Sequence, residues 1–260
     1  MSEKPLDAPP ILPGAEAWSA PGGPHGALVL HGFTGNPNSV RGVAEALAGA
    51  GLAVELPRLP GHGTTVGDMM TTRFPDWSGA VEAAYLELAS RCDEVVVVGL
   101  SMGGTIAAWL ASRHRRIAGV AVVNGMFQPP AEEFHQILRQ CLAQGLDHLP
   151  SIGSDIADPA AREQSYEATP IEPLLSLFEA QAELYDRLGE IHCPVLVLTS
   201  PQDHIVPPVS SEVLAERVSG PVERVPLERS FHVATLDYDK DVVVERVVEF
   251  ALRVCAGLPA

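Results

Sequence analysis

A chain of 260 residues, 46% hydrophobic and carrying both charge signs, is long enough for one sizeable α/β domain and has the make-up of a globular protein. Its formal net charge of −16 repels phosphate backbones and anionic head groups, so nucleic-acid binding and electrostatic membrane anchoring are disfavoured; the charge fits a neutral substrate or, more simply, a solvent-facing role in keeping the protein soluble. The cysteines Cys92, Cys141, Cys193 and Cys255 stand far apart, and residues 1–24 form a Pro-rich arm with no apolar leader. Zinc sites and disulfide frameworks are therefore unsupported, and a cytoplasmic location is expected.

A short strand is predicted near Trp18, and the apolar run Ala27-Leu28-Val29-Leu30 predicts a second that ends at His31-Gly32. Residues 40–50 have helical spacing, 52–56 read as a strand, and 75–91 place Trp77, Val81, Ala84, Tyr85 and Leu88 on one helix face. The β-branched run Glu94-Val95-Val96-Val97-Val98 is the pattern of a parallel strand buried on both faces, and a helix is predicted from Met102. Further strands follow at 120–123, 195–199 and 222–225, with a last helix over 241–253. This alternation predicts a parallel sheet with helices on both sides. It breaks between about 124 and 192, where helical periodicity recurs around Leu138 and Leu177. An interval this long predicts a structured cap inserted between two late strands, 125–192, on a core of 1–124 and 193–260.

The strongest chemical signal is Gly99-Leu100-Ser101-Met102-Gly103, placed between a buried strand and a helix. A serine hydroxyl is a weak nucleophile, and a sharp strand-to-helix turn presents it, provided that its neighbours are small. His31-Gly32-Phe33-Thr34-Gly35 follows the first strong strand. It supplies a main-chain N–H, from Phe33, to join that of Met102 around an oxyanion. His31 precedes the serine and is read as a structural residue of that loop. The acid and the base are expected after the serine, in that order. Asp203 lies just past the strand at 195–199 and His232 in the loop after 222–226. His204 is read as a surface residue, Asp155 as part of the cap, and Asp237 and Asp239 as carboxylates near the N-terminus of the last helix. No metal cluster or phosphate loop stands out, and the chemistry needs no cofactor.

The chain resembles the bacterial monoacylglycerol lipases of the α/β-hydrolase superfamily, and more loosely the small bacterial carboxylesterases. The resemblance runs over nearly its whole length. It is carried by the two motifs above, by Pro57-Arg58-Leu59-Pro60-Gly61-His62-Gly63-Thr64, Asp76-Trp77 and Ser151-Ile152-Gly153-Ser154-Asp155, and by Asp203-His204-Ile205-Val206-Pro207-Pro208 and His232-Val233-Ala234-Thr235-Leu236-Asp237-Tyr238. It implies a triad of Ser101, Asp203 and His232, an oxyanion hole of Phe33 and Met102, and a cap over the site. It also implies that Ile152 lines the acyl-glycerol pocket and that Glu163 bonds a glycerol hydroxyl. The implied substrate is a small neutral lipid ester, with transient contact between cap and lipid surface. The alternatives are a carboxylesterase for short acyl esters and a non-enzymatic binding relative of the same fold; the latter is disfavoured because all three triad positions are filled. The stretch 125–149 departs from the family pattern, so no acyl-chain preference carries over.

Overall fold

The computed structural model describes residues 9–151 and 154–257. Its first half alternates as β1 (Trp18–Ala20), β2 (His25–Leu30), α1 (Arg41–Gly49), β3 (Ala53–Leu56), α2 (Val66–Met69), α3 (Phe74–Ala89), β4 (Glu94–Leu100), α4 (Met102–Ala111) and β5 (Ile117–Val123). An interval with α5 (Glu132–Ala143), β6 (His148–Pro150), β7 (Ala168–Pro170) and α6 (Ile171–Arg187) follows. The chain then returns through β8 (Val195–Thr199), α7 (Val209–Arg217), β9 (Val222–Pro226) and α8 (Lys240–Cys255). Seven strands form one sheet in the order β1-β3-β2-β4-β5-β8-β9, parallel throughout except for the antiparallel edge strand β1.

The sheet is covered on both faces, and side-chain alternation decides which residue goes where. Val95 and Val97 of β4 enter the core shared with Trp77, Val81, Ile106 and Leu184, beneath α3, α4 and α6. Val96 and Val98 point the other way, against Val43 and Leu47 of α1 and Val243, Val247 and Phe250 of α8. With both faces buried, all four positions call for β-branched side chains, and the sequence supplies four valines.

Sequence periodicity missed α2, α7, β6 and β7. In α7 the buried face is Ser210, Ser211 and Leu214, so two hydroxyls hide the apolar stripe. Strands β6 and β7 pair over only three residues each, and each ends in a proline. The interval between β5 and β8 has a small core of its own, in which Leu138 of α5 meets Ile171, Leu175 and Phe178 of α6. Leu177 and Leu184 of the same helix reach into the main core, so α6 is shared between the two. Among the described residues no helix is long and apolar enough to cross a membrane.

Candidate active site

The carboxyl ends of β2, β4, β8 and β9 open on one side of the sheet, and the loops leaving them carry Phe33, Ser101, Asp203 and His232. In an open α/β sheet this is the edge where ligands bind. Ser101, His232, Phe33 and Glu163 line one cavity of about 260 Å³, whose apolar wall includes Leu149, Leu174, Leu177, Phe178 and Val206.

Ser101 sits in the turn from β4 to α4 with φ 54° and ψ −121°, in the left-handed region that non-glycine residues rarely occupy. Close packing holds it there. A Cβ on Gly99 would overlap the main chain of Gly103 and Gly104, and one on Gly103 would overlap the Leu30 and His31 carbonyls. Strain of this kind persists only where the surroundings over-determine it, and it gathers at functional sites. Met102 is the first residue of α4, so its N–H is among those with no acceptor inside the helix.

The loop that carries Phe33 is braced from behind. His31 is fully buried; its Nε2 accepts from the Leu59 N–H (3.2 Å), so Nδ1 carries the proton and donates to the Gly32 carbonyl (3.0 Å). Burial, with the nearby His62 adding to it, drives the His31 pKa down to about 3, and burial lowers that of His62 to about 4. Both rings are therefore neutral over the working range; His31 packs on His62, which in turn packs on Phe33 and Trp77. His31 holds the loop, as the sequence order suggests.

Across the cavity, His232 Nδ1 lies 2.7 Å from Asp203 Oδ2, with the two side chains 9% and 2% exposed. The other Asp203 oxygen accepts the N–H groups of Ile205 and Val206, both at 2.8 Å. The carboxylate is therefore locked by its own loop while it holds the imidazole. Asn124, at the end of β5, escaped the sequence reading. Its side-chain amide donates to Ser200 Oγ (3.0 Å) and the His232 carbonyl (2.8 Å), and its oxygen accepts from the Ser200 N–H (2.8 Å). One side chain thus ties the loop bearing Asp203 to the loop bearing His232. Its position at a strand's carboxyl end was the available signal.

Glu163 is sunk in the cavity wall, where its Oε1 accepts from Ser39 Oγ (2.7 Å). Burial raises its pKa above the ordinary carboxylate value, against the opposing pull of the Ser39 hydroxyl and of His232. Ile152 lies outside the described residues. His204 is exposed, as expected of a surface residue, but its ring bonds Asp155 at 2.8 Å. Asp237 and Asp239 precede α8, yet neither carboxylate serves as its cap. Asp239 instead accepts from the N–H and Nε of Arg229 (both 2.8 Å), and Asp237 from main-chain N–H groups including that of Phe231. Among the described residues no cluster of His, Cys, Asp or Glu could hold a metal.

This sheet, with a serine on a strained strand-to-helix turn facing a histidine–aspartate pair, is that of an α/β-hydrolase. The family model described as serine aminopeptidase, S33, matches residues 24–239, and the chain belongs to that family. The thermostable monoacylglycerol lipase of Bacillus sp. (strain H-257) is 43% identical over 249 residues, which cover 93% of this chain and 96% of that protein. A carboxylesterase of Bacillus subtilis (strain 168) is 27% identical over 231 residues, covering 88% and 93%. Among solved structures, one of the metagenome-derived lipolytic enzymes LipS and LipT superposes with a TM-score of 0.88 at 38% identity, covering 94% of this chain and 100% of that one. The monoacylglycerol lipase of Paleococcus ferrophilus has the same fold, with a TM-score of 0.74 at 20% identity, covering 92% and 99%.

Proposed function

We propose that the protein hydrolyses monoacylglycerols to a fatty acid and glycerol, with Ser101 as nucleophile, His232 as general base and acid, and Asp203 as its orienting carboxylate. The observation that carries this reading is the strained Ser101 turn opening on the same apolar cavity as a histidine bonded to a buried aspartate. Ser101 Oγ attacks the ester carbonyl carbon and its proton passes to His232 Nε2. The N–H groups of Phe33 and Met102 stabilise the oxyanion. Collapse of the tetrahedral intermediate expels the glycerol oxygen, which takes the proton from His232, and leaves an acyl-Ser101 ester. Water, deprotonated by His232, attacks that ester and releases the fatty acid with Ser101 restored. Asp203 keeps the proton on Nδ1 and stabilises the imidazolium.

Residues 125–192 act as a cap. Leu149, Leu174, Leu177 and Phe178 from this segment provide the apolar surface against which an acyl chain is desolvated, and a lipid surface is met through the same segment. Glu163 supports the choice of a glycerol ester over esters in general. Ser39 occupies one of its oxygens, and a carboxylate has acceptor capacity for further donors, which a glycerol hydroxyl fits.

Rates on monoacylglycerols of increasing chain length, against short esters with no glycerol head and against di- and triacylglycerols, test the assignment. Glu163→Gln is expected to lower kcat/KM for a monoacylglycerol by roughly 10- to 100-fold, the worth of a hydrogen bond to a charged group, and to spare a short ester. Equal losses on both substrates, or none on either, would remove the glycerol role. A preference for short esters in the native protein would favour the carboxylesterase reading.

A further inference from the structure

Two carboxylates outside the proposed triad hold the main chain on which His232 stands, and one of them comes from the inserted segment. Asp155 Oδ2 accepts the N–H of His232 at 3.0 Å and that of His204 at 3.1 Å, and Oδ1 meets His204 Nδ1 at 2.8 Å. The Asp155 carbonyl accepts the next N–H of the base loop, from Val233, at 3.1 Å. Asp155 thus bonds the acid's neighbour, the base itself and the residue after the base. Asp237 works from the opposite direction. Fully buried, it accepts the N–H groups of Ala157 (2.8 Å) and Asp158 (2.9 Å) from the inserted segment, and of Phe231 (2.8 Å) from the base loop. Consecutive N–H groups of one loop, at Phe231, His232 and Val233, are therefore tied to the stretch 155–158 through these two aspartates.

We propose that Asp155 is a positioning residue for His232: it sets the height and tilt of the imidazole through the His232 N–H, and Asp237 fixes the strand of chain from which it does so. The placement of the base then depends on how the inserted segment is seated. The two loops meet nowhere in sequence, and the bonds from Asp155 are of the charge-assisted kind, which hold geometry more firmly than neutral ones. Asp155 also lines the cavity, so a direct effect on substrate binding is the competing explanation. This inference rests on His232 being the general base.

The experiment compares wild type, Asp155→Ala, Asp155→Asn and His232→Ala. It measures kcat and KM on a short ester and the rate at which a small fluorophosphonate labels Ser101, each on protein with a cooperative thermal transition. Asp155→Ala is expected to lower kcat by roughly 10- to 100-fold, the scale of a misplaced catalytic group, with KM within about twofold. Labelling should slow by the same factor, because it needs the base but little binding. Asp155→Asn keeps a neutral acceptor for the His232 N–H and is expected between alanine and wild type. Should the alanine variant not fold, the asparagine variant decides alone by a lowered kcat at unchanged KM. Wild-type kcat and labelling in the Asp155 variants, or a raised KM at unchanged kcat, would overturn the positioning role while His232→Ala, if inactive, leaves the base reading standing. Wild-type labelling in His232→Ala would remove the base reading itself, and this inference with it.

Discussion

Gly103→Ala probes the turn that presents Ser101 without touching any group proposed to act on substrate. A Cβ at position 103 would stand 2.7 Å from the His31 carbonyl oxygen and closer still to that of Leu30, where ordinary contact begins at 3.4 Å. Going from 2.7 to 3.4 Å requires the β2 end and the α4 start to part by about 0.7 Å, more at Leu30. Neither side is a flexible side chain that can swing aside; both are main chain. Two costs follow. Overpacking of this kind destabilises by roughly 1–3 kcal/mol. The shift also falls on the segment leading to Phe33 and on the turn bearing Ser101 and Met102, so the distance between Ser101 and the proposed oxyanion donors changes. A displacement near 1 Å costs on the order of 100-fold in rate. Steady-state kinetics on a short ester, fluorophosphonate labelling of Ser101 and urea unfolding measure both effects. We expect kcat to fall about 100-fold with a stability loss of roughly 1–3 kcal/mol. Gly79→Ala is the control: it lies inside α3, nothing stands within 4 Å of its added Cβ, and it should gain roughly 0.5–1 kcal/mol with activity intact. A Gly103→Ala enzyme within about threefold of wild-type kcat would refute the argument that steric closure of this turn holds the nucleophile in place.

Ser101→Ala should abolish ester turnover and leave the circular dichroism spectrum unchanged; substantial residual turnover would sink the acyl-serine mechanism. Stability should fall as pH drops below 6.5. His31 and His62 refuse protons until about pH 3 and 4 when folded but accept them near 6.5 when unfolded. The unfolded state therefore binds more protons across that window, and each histidine contributes a slope of up to about 1.4 kcal/mol per pH unit. His62→Gln should flatten the acid limb of a melting-temperature profile, and an unaltered slope would contradict the neutral assignment. Glu163 acts with the opposite sign: its raised pKa means the folded state holds the proton longer, so it erodes stability as pH rises above 4.5. Glu163→Gln should therefore gain stability relative to wild type as pH rises above 4.5, until the folded carboxyl has ionised, in the same variant that loses rate on monoacylglycerols; a pH-independent difference would count against the buried carboxylate.

Much of this was legible along the chain because the relevant signals are local. The Val95 to Val98 run declares a strand with two buried faces, and Gly99, Gly103 and Gly104 around Ser101 declare a crowded turn; the signal lies in neighbouring residues, although the carbonyls that crowd Gly103 belong to Leu30 and His31. Asp203 and His232 stand out by their position after strand ends, which again needs only periodicity. The α7 helix is hidden because its buried face carries hydroxyls: Ser210 accepts the Phe127 N–H and donates to the Gly125 carbonyl, partners more than eighty residues away.

Asn124, Asp155 and Asp237 show the same limit at the site. Each is a polar residue whose work is defined by main-chain groups on another loop: Asn124 by those of residues 200 and 232, Asp155 by those of 204 and 232, and Asp237 by those of 157 and 158, beside that of 231 in its own loop. Nothing in their local spacing separates them from solvated carboxylates and amides. Hydrophobic patterning is short-range along the chain, and it declares the sheet, the glycine-flanked turn at Ser101 and the strand ends after which Asp203 and His232 stand. How the base is held, and by which distant segment, follows from pairing N–H groups with acceptors that meet only when the chain has closed on itself.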